Sequence, residues 1–319
     1  MTPLVPVRLA VAGAVRTIHL KLEGANPGGS LKDRTAAALV DDLEERGTLG
    51  PGSILVESTS GNLGVALARL ARARGYGFVA VVDPRTTPEN IERMRRLGAR
   101  VERVDEPDGA GGYVLSRIER VRALCADSDR FAWPNQYENP ANPRAHEEGT
   151  AGEILRQMSG RVDALLTAVS TGGSLAGMAR RFRRDSPGTR IVAVDAAGSV
   201  ALGGRPGPRL LTGIGASRRS AFLSEGLYDE LLRVTDVDAF ACCHALLHGA
   251  GLSVGGSSGA VLSAAGRWLA ANPDAERVVA VCADRGERYA RSIFDRSWLE
   301  QNGVRLDRAR PPELLPAAV

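Results

Sequence analysis

Short apolar runs alternate with helical patterns along most of this chain, and that alternation is the strongest constraint on its fold. Ser53-Ile54-Leu55-Val56-Glu57, Phe78 to Val82, Arg100 to Val104, Ala164 to Ala168, Arg190 to Val194, Leu231 to Thr235 and Val278 to Cys282 read as buried strands. Between and after them the spacing predicts helices over Thr35 to Arg46, from Leu63 onward, up to Leu97, Tyr113 to Ala126, Glu147 to Met158, Ser174 to Arg184, Asp238 to His248, Ala260 to Ala271 and Tyr289 to Gln301. Thr86-Thr87-Pro88-Glu89 combines a capping box with a proline in the first helical turn. Strands joined through helices pair in parallel and carry helices on both faces, so the fold class is α/β with mostly parallel sheets. Val5 to Leu9 and Thr17 to Leu22 add two strands at the start. Residues 37–141 make an alternating unit of their own, a small domain. The segments 1–36 and 142–319 then form a larger domain, with Pro134 to Pro143 as the crossing back to it.

The chain has 319 residues, with 44% hydrophobic and 24% charged, ordinary values for a globular protein. Its net charge of +4 is spread along the chain, without a basic tract interleaved with aromatics, so nucleic acid is not an expected partner. No apolar run approaches the roughly 18 residues of a membrane span, and Met1-Thr2-Pro3 opens without a basic, cleavable leader, so no membrane partner is expected and the location is read as cytoplasmic. The four cysteines, Cys125, Cys242, Cys243 and Cys282, form no C-x-x-C pair, and His244 and His248 lack the glutamate of a zinc-binding H-E-x-x-H. No metal site is expected.

Only two lysines occur, Lys21 and Lys32, among 41 positively charged residues. A chain so biased toward arginine keeps lysine where an amine is needed, because a guanidinium stays protonated and cannot act as a nucleophile. Lys32 follows the turn Gly24-Ala25-Asn26-Pro27-Gly28-Gly29 and Ser30, a good N-cap, and so falls in the first turn of a helix. The positive end of a helix dipole lowers a lysine's pKa, which suits nucleophilic chemistry. Position alone favours an ordinary surface lysine by roughly two to one.

Three further glycine-rich turns stand where α/β sheets bind ligands, at strand ends and helix starts. They are Ser58-Thr59-Ser60-Gly61-Asn62-Leu63-Gly64, Ser170-Thr171-Gly172-Gly173-Ser174 and Gly255-Gly256-Ser257-Ser258-Gly259. Amides and hydroxyls at a helix N-terminus hold carboxylates and phosphates. Neither G-x-x-x-x-G-K-[ST] nor G-x-G-x-x-G is present, which argues against a nucleotide P-loop and a dinucleotide fold. Each turn alone is a plain loop roughly three times in four. Together with a nucleophilic lysine they describe a phosphate cradle, an amine and a carboxylate pocket, the needs of pyridoxal phosphate and an amino acid.

These turns, with Asn135-Gln136-Tyr137-Glu138-Asn139-Pro140-Ala141-Asn142 and Gly213-Ile214-Gly215-Ala216, resemble in order and spacing the fold-type II pyridoxal-phosphate enzymes of the cysteine synthase family, over nearly the full length. The resemblance implies a tryptophan synthase β-like fold of two three-layer αβα domains and pyridoxal 5'-phosphate as cofactor. It implies that Lys32 is bonded covalently to the cofactor and is the catalytic base. Asn62 would meet the ring oxygen, Ser170, Thr171, Gly172, Gly173 and Ser174 the phosphate, and Ser257 the pyridine nitrogen. A hydroxyl rather than a carboxylate at that nitrogen suits β-elimination over transamination. Ser58, Thr59, Ser60, Gly61, Gln136 and Gly213 would bind the amino-acid substrate.

Departures from cysteine synthases point to a subgroup. Leu63 replaces a common threonine, Ser217-Arg218-Arg219 follows Gly-Ile-Gly-Ala, Arg285 stands where serine is common, and Glu106-Pro107-Asp108 precedes Gly111-Gly112-Tyr113. All are similar to the synthases that join O-phospho-L-serine to L-glutamate, through an aminoacrylate, on the route to 2,3-diaminopropionate in siderophore and peptide-antibiotic biosynthesis. Arg218 is then expected to receive the donor's phosphate or a glutamate carboxylate. The rival readings are an O-acetylserine or O-phosphoserine sulfhydrylase making cysteine, and a non-catalytic regulatory protein of the same fold. The resemblance also implies a homodimer, although the chain starts a few residues later than the family usually does.

Overall fold

The computed structural model describes residues 1–109 and 112–316; Gly111 of the Gly111-Gly112-Tyr113 run lies outside them, as do Ala110 and residues 317–319. In chain order the elements begin with β1 (Leu4–Val11), β2 (Ala14–Leu22), α1 (Lys32–Glu45), β3 (Ile54–Ser58) and α2 (Asn62–Arg74). There follow β4 (Gly77–Val82), α3 (Pro88–Arg96), β5 (Arg100–Arg103), α4 (Val114–Asp127), β6 (Phe131–Ala132) and α5 (Ala141–Ala145). A π-helical stretch His146–Ala151 leads to α6 (Gly152–Gln157), β7 (Ala164–Ala168), α7 (Gly173–Asp185), β8 (Arg190–Ala196) and β9 (Glu230–Val234). The chain continues with α8 (Asp236–Ala250), α9 (Gly256–Ala271), β10 (Val278–Cys282), α10 (Arg296–Gln301) and β11 (Glu313–Leu315).

Two compact units result: Lys32–Ala145, and Met1–Leu31 with His146–Val319. The divisions fall at Leu31/Lys32 and Ala145/His146, where the sequence reading draws them at 36/37 and 141/142. Packing explains the difference at the first edge. Ala36, Leu39, Val40 and Leu43 of α1 share one apolar cluster with Leu63, Leu67 and Ala71 of α2, and the Asp33–Arg69 ion pair at 3.4 Å ties the same two helices.

In unit 32–145 the sheet order is β5-β4-β3-β6, every pairing parallel. Apolar residues cover both faces: one cluster contains Leu55, Leu67, Phe78 and Met94, the other Val56, Val79, Val121 and Leu124. From β3 the chain moves to β4 on one side and later returns to β6 on the other, so the C-terminal end of β3 is a topological switch point.

In the other unit the described residues form a seven-stranded sheet, β11-β1-β2-β10-β7-β8-β9. β1 and β2 are an antiparallel hairpin closed by Ala12 and Gly13, both at positive φ (50° and 80°), the tight turn whose twist matches the strands. β2, β10, β7, β8 and β9 then pair in parallel. β7 lies between β10 and β8, which makes its C-terminal end a second switch point.

Most elements lie within a few residues of the sequence reading, and the departures are local: the helix read over Glu147 to Met158 is π-helical up to Ala151 and α-helical only over Gly152–Gln157. Tyr289 to Gln301 is not one helix: a 3₁₀ turn (Gly286–Tyr289) precedes α10, which starts only after Asp295 caps the amide of Trp298 at 2.8 Å. Thr87 rather than Thr86 caps α3, while the Thr86 hydroxyl accepts from the Asp83 amide at 3.2 Å. β6 and β11, two and three residues long, carry no periodicity that a sequence could show.

Candidate active site

The loop after β3 is built from unit 32–145. Ser58 ends the strand, fully buried, and Thr59 is almost as buried. Gly61 precedes α2 with no side-chain cap at that helix N-terminus. Gln136 comes in from the segment after β6: its side-chain amide donates to the Ser58 carbonyl at 2.9 Å. The Asn90 side chain holds the Ser60 carbonyl at 3.1 Å. Ser58, Thr59, Ser60, Gly61, Asn62 and Gln136 therefore share one region.

Lys32 opens α1 in the same unit. One turn on, the Thr35 hydroxyl lies 3.4 Å from the Asn142 side-chain oxygen, and the Asn142 amide donates to the Gln136 carbonyl at 2.7 Å. Burial lowers the Lys32 amine to about 8. Burial is the cause the structure resolves, in place of the helix field the sequence suggests. Either way a useful fraction of the amine is unprotonated near neutral pH.

The turn leading up to Lys32 belongs to the other unit and is clamped there. Leu31 N–H donates to the Ala283 carbonyl at 2.8 Å, and Arg285 N–H donates to the Gly29 carbonyl at 3.2 Å. The guanidinium groups of Arg285 and Arg288 donate to the carbonyls of Gly24 and Gly28. A Cβ on Gly24 would stand 2.8 Å from the Arg285 Cγ, so the turn and the arginine fit only with glycine there. Ser30 forms an isolated bridge with Asp284, whose carboxylate accepts from the Tyr289 hydroxyl at 2.7 Å.

The loop after β7 is the phosphate cradle of the sequence reading. Gly172, at φ 87°, precedes α7 with no side-chain cap, leaving the first amides of a 13-residue helix for an anion. The loop is tied to the Gly213–Ala216 stretch: Gly215 N–H donates to the Val169 carbonyl at 2.7 Å, and the Ser170 hydroxyl donates to the Gly215 carbonyl at 3.1 Å. Ser199, fully buried, accepts from the Ala216 amide at 3.0 Å and the Ala201 amide at 3.1 Å, fixing that stretch from beneath. Ser257 is buried in the first turn of α9, while Gly213 and Arg218 are exposed.

Sequence reasoning missed the supports. Glu57, Trp133 and Tyr137 brace the loop after β3, Ser199 braces Gly213–Ala216, and Arg285 and Arg288 clamp the lysine turn. Glycine runs announce a loop, but nothing local announces the residue that pins it. The cysteines play no such part: all four are free, and burial pushes the Cys242 and Cys282 thiols up to about 12. His244 Nε2 pairs with the Ile293 carbonyl at 2.8 Å, a packing role. No group of three His, Cys, Asp or Glu among the described residues could hold a metal, and no described helix is long and apolar enough to cross a membrane.

The residues fit pyridoxal phosphate: an uncapped helix N-terminus for a phosphate, a lysine with a lowered pKa, and a buried serine in a helix's first turn. Parallel α/β sheets with these loops at their switch points define the fold-type II class of such enzymes. The chain belongs to the pyridoxal-phosphate-dependent enzyme family, whose profile matches residues 1–284. It is 45% identical over 298 residues to the N-(2-amino-2-carboxyethyl)-L-glutamate synthase of Ralstonia nicotianae, covering 93% of this chain and 88% of that one. It is 42% identical over 307 residues to the synthase of the same name from Cupriavidus metallidurans, covering 95% and 90%. Among solved structures, a hydrogen sulfide-producing enzyme of Fusobacterium nucleatum superposes with a TM-score of 0.84 at 32% identity, covering 90% and 94%. An O-acetylserine-dependent cystathionine β-synthase from Helicobacter pylori superposes at 0.83 with 30% identity, covering 91% and 94%.

Proposed function

We propose that this enzyme carries out a β-replacement that joins O-phospho-L-serine to the amine of L-glutamate, giving N-(2-amino-2-carboxyethyl)-L-glutamate and phosphate. The observation that carries the reading is the likeness, over more than nine-tenths of the chain, to two relatives named for that product. The Cβ–O bond of the donor breaks, phosphate departs, and a Cβ–N bond forms as the glutamate amine loses a proton.

Bound pyridoxal phosphate supplies an electron sink for negative charge at the donor's Cα. Lys32 Nζ, at about 8, takes the Cα proton and later returns it. The first amides of α7, with the Ser170, Thr171 and Ser174 hydroxyls and the backbone of Gly172 and Gly173, hold the cofactor's phosphate. Ser257 serves the ring nitrogen and Asn62 the ring oxygen. Thr59 and Ser60, just before α2, and Gln136, from the segment after β6, receive the substrate carboxylate, with Ser58 and Gly61 shaping the loop. Arg218, exposed beyond Gly213, meets the leaving phosphate or a glutamate carboxylate. The reading includes a cytoplasmic homodimer serving 2,3-diaminopropionate supply for a siderophore or antibiotic.

One structural neighbour is named for an O-acetylserine donor, which supports a second reading, cysteine synthesis from O-acetylserine or O-phosphoserine with sulfide. One experiment separates the two. The holoenzyme is given O-phosphoserine with either glutamate or sulfide, and products are identified by mass. The adduct with glutamate is the expected product; cysteine from sulfide with no glutamate adduct overturns the proposal.

A further inference from the structure

Glu57 is a fully buried carboxylate at the end of a central strand, and the chemistry above makes no use of it. Its Oε1 accepts from the Ser58 amide at 2.8 Å and the Trp133 indole N–H at 3.1 Å, and its Oε2 accepts from the Gln136 amide at 3.1 Å. Those amides belong to the two stretches that hold the substrate carboxylate, 79 residues apart for Gln136. Gln136 Nε2 and the Tyr137 hydroxyl donate to the Ser58 carbonyl at 2.9 and 3.4 Å, and the Asn142 side-chain amide donates to the Gln136 carbonyl at 2.7 Å; Glu57 is the side chain that accepts from the backbone amides of both Ser58 and Gln136. A buried carboxylate with three N–H donors is an expensive device where an apolar side chain would pack, which calls for a reason beyond stability.

We propose that Glu57, as a carboxylate, is a positioning residue that sets the Ser58–Gly61 loop and Gln136 in register to receive the substrate's carboxylate. The inference rests on the assignment of those residues to that carboxylate. Protonation is the natural way to undo it, because an acid O–H replaces an acceptor lone pair and one of three donors loses its partner. Burial raises the Glu57 carboxyl to about 7, against the opposing pull of the Trp133, Gln136 and Ser58 donors and of Arg117. The groups around it are Arg117 and Cys125 on α4, Tyr137 after β6, Asp83 after β4, which pairs with Arg117 at 3.4 Å, and Arg122, which lies over the Trp133 ring at 5.9 Å. Burial also moves the Cys125 thiol and the Tyr137 phenol upward, away from neutrality.

The test measures KM and kcat of the holoenzyme for O-phosphoserine from pH 5.5 to 8.5 in wild type, Glu57→Gln and Trp133→Phe. The donor's own phosphate titrates identically in all three, so differences between profiles isolate the protein. Wild type is expected to lose affinity as the pH falls through about 7. Glu57→Gln presents an N–H₂ where an acceptor stood, and should raise KM about tenfold above wild type at pH 8.5, with kcat changed less than about threefold and the acid limb gone, so that the two profiles converge toward pH 5.5. Trp133→Phe removes a donor that favours the charged form, so its acid limb should move to higher pH. A wild-type KM and an unmoved limb in Glu57→Gln overturn the proposal; if that variant does not fold, an unmoved limb in Trp133→Phe overturns it. Gln136→Ala distinguishes the failures. If it too leaves the donor KM unchanged, the carboxylate assignment falls; if it raises KM while Glu57→Gln does not, only the role of Glu57 falls.

Discussion

The loops after β3 and β7 hold the same topological position in their two sheets and are made of opposite materials. The β7 loop works through backbone: a glycine at φ 87°, the uncapped amides of α7, and hydroxyls tied to Gly215, with no ionisable side chain in the turn. The β3 loop rests on buried titratable groups: Glu57 raised to about 7 by burial, Tyr137 pushed upward, and the Asp83–Arg117 pair nearby. A cradle of amides has no side-chain charge of its own to titrate, which suits the resident phosphate proposed for it. A loop held by a buried acid can be loosened by one proton, which suits a substrate that must come and go.

The largest expected break concerns Lys32, proposed above as the proton carrier and the cofactor's covalent partner. Lys32→Ala should lower turnover by at least about a thousandfold and abolish the visible absorbance of the lysine-bound cofactor, because a proton carrier and a covalent partner vanish together. Stopped assays and an absorption spectrum check it; a variant with full turnover removes Lys32 from the proposed chemistry.

Next comes the pH behaviour of unit 32–145. The folded-state carboxyl of Glu57 lies above its unfolded value, so its contribution to stability is fully present below about 4.5 and is lost as the pH rises through about 7. The shift corresponds to about 3 kcal/mol over that window. Chemical denaturation between pH 4.5 and 8 should show wild type losing more stability than Glu57→Gln. Parallel curves would mean that Glu57 titrates normally.

The backbone cradle should answer to geometry alone. Gly172→Ala places a Cβ 2.6 Å from Leu223 at a positive φ. A cost of about 2 kcal/mol follows, read as a roughly thirtyfold loss of pyridoxal phosphate affinity with the same pH profile as wild type. A pH-dependent loss would blur the contrast between the loops. Smallest is Arg218→Ala. An exposed guanidinium contributes about 1 kcal/mol, so the change should be about fivefold and confined to one half-reaction: loss of phosphate from O-phosphoserine, or its coupling to glutamate. Rapid-mixing kinetics of each half separates them, and equal effects in both would assign Arg218 to general electrostatics.

The sequence by itself determined the alternating α/β order, the strands Ala164–Ala168 and Val278–Cys282 to the residue, and the loops that carry the site. It could do so because hydrophobic period, glycine turns and helix caps are written within a few neighbouring residues. Tertiary structure decided what those loops are worth chemically. Lys32 has its lowered pKa because the folded chain buries its amine. Glu57 looks like any acid at a strand end until Trp133 and Gln136 arrive from 76 and 79 residues away. Ser199 reaches Ala216 across 17 residues, and Arg288 reaches Gly28 across 260. Desolvation and hydrogen bonds between distant residues exist only once the chain is folded, and they leave no periodic mark in the sequence for local reasoning to read.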